Sequence, residues 1–303
     1  MTQNYISNYY PITIPSHRFY KLGWHQSFED QRRRVRDIKP NLIFIGDSIV
    51  KGLSRYQKVW QLFRDYNAIN LGISGDKSQN VLWRCNKINF PPSVKFAFIL
   101  CGCNNIDYDD PCDIADSIIQ IGLSMIKQNK NCYVLISGII PRDESKSSFR
   151  RYKIKECNNI LKNLCAKYNQ NMILISQDAD NWLETNGDLR TNLYYTDFVH
   201  LVECGYMKLA NIILSSLKQL SSYSSLEHQH KPVAGSYRDK VEFHYHDTNF
   251  PPLTNTTITH NITTSPLYSV ISSRLSKHLH LQLYSSSSKI NCKKLPLNNS
   301  KAH

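Results

Sequence analysis

Asn41-Leu42-Ile43-Phe44-Ile45-Gly46-Asp47-Ser48 is an apolar run that stops at a glycine, an aspartate and a serine. A run so short, so β-rich and so free of polar alternation reads as a strand buried on both faces. Four more runs of this character follow, at residues 68–71, 96–100, 133–136 and 172–175. The segments between them have helical spacing. Residues 76–86 put Val81 and Leu82 on one face, and residues 113–127 space Ile114, Ile118, Ile121 and Met125 by three or four. Residues 148–168 do the same with Ile154, Ile160, Leu161 and Leu164. Asp113, just after Pro111, is the expected N-cap of the second of these helices. A last helix is expected over residues 201–220. Solid apolar strands alternating with helices predict a parallel sheet covered on both sides, and right-handed crossovers leave few topologies. The expected fold is therefore α/β: a flavodoxin-like three-layer α/β/α sandwich with a five-stranded parallel sheet.

The apolar runs are unevenly spread over the 303 residues. Residues 1–25 predict an irregular N-terminal lead-in wrapped on the domain through Tyr9, Tyr10, Tyr20 and Trp24. Residues 26–220 predict the domain itself, and residues 221–303 a disordered basic tail rich in Ser and His. Eight of the eleven histidines fall in that tail, among them the pairs His228/His230, His244/His246 and His278/His280. Without a Cys or carboxylate cluster beside them they imply adventitious binding and no resident metal or cofactor. The nine cysteines are odd in number and include apolar positions such as Cys101, Cys132 and Cys165, which suits reduced thiols in a cytoplasmic protein. No apolar run approaches the length of a membrane span, and no signal-peptide core stands near Met1.

Parallel sheets gather their ligands in the loops leaving the carboxyl ends of the strands. Those loops here hold Gly46-Asp47-Ser48, Gly72-Ile73-Ser74-Gly75-Asp76, Gly102-Cys103-Asn104-Asn105 and the long segment 177–196. Ser48 alone reads equally well as a helix N-cap. A serine hydroxyl becomes a useful nucleophile only beside a base, and between Gln26 and Glu227 the chain has one histidine, His200. Asp197, three residues earlier at the expected start of a helix, can orient its imidazole. Gly72 and Gly75 punctuate a turn expected to need positive φ, whose N–H groups could face a developing oxyanion, and Asn104 adds a side-chain amide.

These four segments resemble the four sequence blocks of the SGNH (GDSL-type) hydrolases. Gly46-Asp47-Ser48-Ile49 is similar to the first block, residues 70–76 to the second, residues 102–105 to the third and Asp197-Phe198-Val199-His200 to the last. The resemblance implies a carboxylic ester hydrolase with Ser48, His200 and Asp197 as catalytic triad and Ser48, Gly75 and Asn104 as oxyanion hole. It runs from about residue 40 to 220 and extends to Val81-Leu82-Trp83-Arg84 and Ile140-Pro141-Arg142. Within the family it is strongest with the catalytic subunits of brain-type platelet-activating-factor acetylhydrolases. That likeness implies short acyl esters, a homodimer and a WD-repeat partner. Two departures stand out: Cys103 replaces the usual Thr, and Asn105 the Asp of many members. Ile49, Phe198 and Val199 are expected to line a shallow acyl pocket.

The net charge of +13 opens a second reading. Arg32, Arg33, Arg34 and Arg36 are either the solvated face of a short helix or a phosphate-contacting patch. With the basic tail, the patch would suit nucleic-acid association, as in the esterase-like accessory domains of some mobile genetic elements. A partner-binding scaffold is the third reading.

Overall fold

The stretch 41–48 stands in the middle of a parallel sheet in the computed structural model of the chain. The structure describes residues 12–168, 171–177 and 179–229. Helix α1 (Trp24–Ile38) leads into β1 (Leu42–Gly46), α2 (Ser48–Leu53), the single turn α3 (Gln57–Trp60) and a 3₁₀ turn, Gln61–Tyr66. Then come β2 (Ala68–Gly72), α4 (Ser78–Lys87), β3 (Phe96–Leu100), α5 (Pro111–Gln128), β4 (Tyr133–Ser137), α6 (Phe149–Lys167) and β5 (Met172–Ile175). The chain closes with α7 (Ala179–Trp182), a 3₁₀ turn at Thr191–Leu193 and α8 (Glu203–Gln229). The strand order is β2-β1-β3-β4-β5 with every pair parallel, which is the flavodoxin-like order.

Alternation along the buried strands splits the core into two layers. Ile43, Ile45, Ala97 and Ile99 face the side covered by α1, α4, α5 and α6, where Val35, Val81, Ile118 and Ile154 meet them. Leu42, Phe44, Phe96 and Phe98 face the other side, against Val50, Phe63, Leu209 and Ile213. Gly72 fits the closeness of that second layer: a Cβ there would stand 2.2 Å from the backbone N of Lys51. Its φ is ordinary, so steric access and not the expected positive φ explains this glycine, whereas Gly75 does adopt φ +77°.

Four further expectations need correction. The N-cap of α5 is Asp110, with Pro111 at the first helical position, where its missing N–H costs nothing. Helix α8 runs nine residues past the expected end, through Gln229. Serine only mildly disfavours a helix already nucleated by the buried Leu209, Ile213 and Leu217, and no Gly or Pro intervenes before Pro232. Tyr20 points to solvent at 84% exposure, while Trp24 is buried. Asp197–His200 form a turn ahead of α8 instead of its first turn. Tyr9, Tyr10 and the tail from residue 230, with His230 and the pairs His244/His246 and His278/His280, lie outside the described residues.

Candidate active site

Ser48 opens α2 at the carboxyl end of β1, beside the point where strand order reverses between β1 and β3. Its neighbour Asp47 caps the helix, accepting the Ile49 N–H at 2.9 Å. The loop before α8 delivers the imidazole. Phe198 adopts φ +52°, and Asp197 Oδ1 accepts the N–H groups of Val199 and His200 at 3.0 and 2.9 Å, so the carboxylate folds back on its own turn. Tyr195 N–H donates to His200 O at 2.8 Å, which fixes the loop from its other side.

The three sequence-distant groups meet in a line. His200 Nδ1 lies 2.6 Å from Asp197 Oδ2, and His200 Nε2 lies 2.9 Å from Ser48 Oγ. Burial pushes the Asp197 carboxyl up, but hydrogen bonds from the His200 ring and from the His200 and Val199 N–H groups outweigh it and hold it below the usual carboxylate range. An anionic Asp197 favours the tautomer with hydrogen on Nδ1, which turns the Nε2 lone pair towards Ser48 Oγ. The His200 and Asp197 side chains are 43% and 48% exposed, so this arrangement opens directly to solvent.

The other expected groups lie on the loops that follow β2 and β3. Gly75, with its positive φ, turns the loop after β2, and the Asn104 amide after β3 donates to Asp76 O at 2.9 Å. Asn105 is fully buried and locks the neighbouring helix, accepting the Ser78 N–H and donating to Gln79 Oε1. Ile49 and Phe198 belong to the core layer of α8, whereas Val199 packs on the opposite layer, so the expected pocket residues flank the site from two sides. The thiol of Cys103 is pushed up to about 12 by burial, which keeps it neutral beside Asn104.

Residues 44–208, which include all of these groups, match the model of the GDSL-like lipase/acylhydrolase family. The chain belongs to that family. It is 27% identical over 197 residues to the human platelet-activating factor acetylhydrolase IB subunit alpha2, covering 64% of this chain and 83% of that one. Against the rat alpha1 subunit the identity is 28% over 188 residues, covering 61% and 78%. A GDSL-like lipase from Bacteroides thetaiotaomicron shares the fold at a TM-score of 0.53 and 20% identity, over 64% of this chain and 99% of that one. This GDSL-like acylhydrolase is thus a carboxylic ester hydrolase, and among its described residues no helix is long and apolar enough to cross a membrane.

One group that ties the strand ends together enters the sequence analysis only within the resemblance, with no role attached. Arg84 is fully buried in α4, and its guanidinium donates to Asp76 Oδ2 at 2.8 Å, Leu71 O at 2.7 Å, Gly46 O at 2.9 Å and Gln31 Oε1 at 3.0 Å. One side chain therefore joins the ends of β1 and β2, the two strands that carry Ser48 and the Gly75 loop. Trp24 Nε1 adds a 2.7 Å bond to the other oxygen of Asp76. The available signal is an arginine on the apolar stripe Val81-Arg84-Cys85-Ile88, eight residues after an aspartate. Of the basic cluster on α1, Arg32 pairs with Glu29, Arg33 with Asp30 and Arg36 with Asp37, as a solvated helix face does. Arg34 is exposed on the same helix.

Asp47 gives the enzyme a pH signature. Burial, reinforced by Asp76 and opposed by the Ile49 N–H and His200, raises its pKa to about 7. A carboxyl whose folded pKa exceeds its unfolded one stabilises the fold at low pH. That contribution is lost as pH rises from about 4 to 7, up to about 4 kcal/mol in total. Asp47→Asn keeps an oxygen for the Ile49 N–H and cannot ionise. Its melting temperature should fall less than that of the wild type between pH 4 and 8. Parallel pH profiles for the two proteins would show that Asp47 does not titrate in this range.

Proposed function

We propose that this acylhydrolase is a serine esterase for short acyl, chiefly acetyl, esters. The observation that carries the reading is the continuous chain from Ser48 Oγ through the His200 ring to Asp197, at 2.9 and 2.6 Å. Ser48 Oγ attacks the ester carbonyl while His200 Nε2 takes its proton, and Asp197 stabilises the imidazolium. The backbone N–H groups of Ser48 and Gly75 and the Asn104 amide receive the oxyanion. The tetrahedral adduct collapses, His200 protonates the departing alcohol, and the acyl group stays on Ser48. Water then attacks the acyl-enzyme under the same base, which releases the acid and restores the serine.

Support for a short acyl group comes from the acetylhydrolase relatives and from the apolar Ile49, Phe198 and Val199, which adjoin Ser48 and His200 in the sequence and belong to the two core layers. The test is a p-nitrophenyl ester series on the full chain, with a fluorophosphonate probe as an independent reporter. Acetyl and butyryl esters should turn over at least about tenfold faster than palmitoyl, since each surplus methylene that finds no pocket forfeits its burial. Probe labelling should vanish in Ser48→Ala. Equal rates across chain lengths would defeat the short-acyl reading, and labelling that survives Ser48→Ala would defeat the assignment of the nucleophile.

A further inference from the structure

The N-terminal lead-in brings two cations to the loop that holds Gly75, and neither has a role in the reaction above. Arg18 Nη1 and Lys21 Nζ each lie 3.4 Å from Ser74 O. Each also lies 3.2 Å from the point a Cβ would occupy on Gly75. A Cβ on Gly75 would crowd both cations, so glycine lets them close on this loop, and their terminal nitrogens fall within about 6 Å of the Gly75 N–H. The lead-in that carries them is anchored. Ser16 N–H donates to Gln79 O at 3.0 Å, the Asn80 amide to Ser16 O at 2.9 Å, and Trp24 to Asp76.

Local charge is out of balance. Asp76 is the carboxylate that meets Arg18, at 3.3 Å, but its other oxygen belongs to the fully buried Arg84. Among the described residues, Lys21 has no carboxylate within salt-bridge reach, and its hydrogen-bond acceptor is the Ser74 carbonyl alone. Two cations facing one carbonyl repel each other unless an anion comes between them. An arginine fork beside a lysine point charge is suited to a compact oxyanion.

The geometry points to a subsite in which Arg18 and Lys21 bind a phosphate or carboxylate carried by the ester substrate, a few bonds from its carbonyl. This rests on the esterase reading and adds to it a charge specificity. The anion can belong to a soluble ester or to a lipid headgroup, and both present the same chemistry to the pair.

The test compares 3-acetoxybenzoate with its methyl ester, which share the acyl group and differ in one charge. The kcat/KM ratio of anionic to neutral ester should exceed one by about tenfold in the full chain, the worth of one charge-assisted contact. It should fall towards one in Lys21→Met and in Arg18→Met. A ratio near one in the wild type overturns the subsite. So does an equal loss on both esters in the variants, which would mean general support of the oxyanion. Lys21 is exposed, so Lys21→Met reports even where Arg18→Met perturbs the Asp76 cluster. Titration of Ser48→Ala protein with inorganic phosphate needs no turnover. Binding there that is lost on adding Lys21→Met supports the subsite even where neither ester is cleaved, a result that would count against the esterase reading alone. Sedimentation with phosphatidylcholine vesicles containing phosphatidic acid separates the sources. Retention abolished by Lys21→Met assigns the anion to a headgroup, and anion selectivity without retention assigns it to a soluble ester. Where neither ester is cleaved, absence of both phosphate binding and retention refutes the proposal.

Discussion

On the proposed reading, His200→Ala should lower kcat for an acetyl ester by on the order of 10⁴-fold or more while leaving the protein folded. The size follows from the position of the ring. Its Nε2 is the acceptor placed at 2.9 Å from Ser48 Oγ, and a serine hydroxyl without a base is almost wholly protonated at neutral pH. His17 and His25 are packed against Phe19 on the lead-in, so neither of these imidazoles takes over. The fold survives because the turn is held by backbone groups: Asp197 Oδ1 keeps the two N–H bonds, and Tyr195 N–H keeps the residue 200 carbonyl. Steady-state kinetics with a thermal melt decide the matter. Turnover within tenfold of the wild type would remove His200 from the mechanism, whatever its distance from Ser48.

Arg84→Met lowers stability by about 3–5 kcal/mol, the usual cost of leaving a buried ion-pair partner uncompensated. Methionine fills much the same space, so the cost is electrostatic and not a cavity. Asp76 would remain buried with Trp24 and the less well placed Arg18, at 3.3 Å, while Leu71 O and Gly46 O lose their donor. Because Gly46 closes β1 and Leu71 precedes the last residue of β2, the loss should also loosen the alignment of Ser48 with the Gly75 loop. Denaturant unfolding reads the first effect and kcat the second. The double variant Arg84→Met/Asp76→Asn should be less destabilised than the sum of its parts, since the stranded charge is gone. A loss below about 1 kcal/mol in Arg84→Met would mean that the guanidinium does not clamp the strand ends.

The sheet is legible in the sequence because its central strands are buried on both faces. Runs such as Leu42–Gly46 and Phe96–Leu100 must be apolar at every position, and the five strands fall where the five runs do. Helix ends are harder to read, since they turn on single caps. The expected cap Asp113 lies inside the first turn of a helix that Asp110 opens, with Pro111 pre-set for its first position. The end of α8 is masked by its serines, which resemble a linker in composition yet follow a well-buried helix. Ser48, Asp197 and His200 stand out by residue type at strand and loop ends. Asp47 shows that type does not reveal environment, for only its full burial beside Ser48 lifts its pKa to about 7.

By itself, then, the sequence determined the layered α/β architecture and which residue types wait at the carboxyl ends of the strands. Both follow from local patterns of apolar residues and from loop chemistry. Tertiary structure alone decided that Ser48 and His200, 152 positions apart, stand at 2.9 Å. It also put Arg84 across the ends of β1 and β2, and turned Arg18 and Lys21 towards Gly75. Hydrogen bonds and charge pairs between distant residues depend on crossover handedness and on packing to a few tenths of an ångström, and linear spacing carries no record of either.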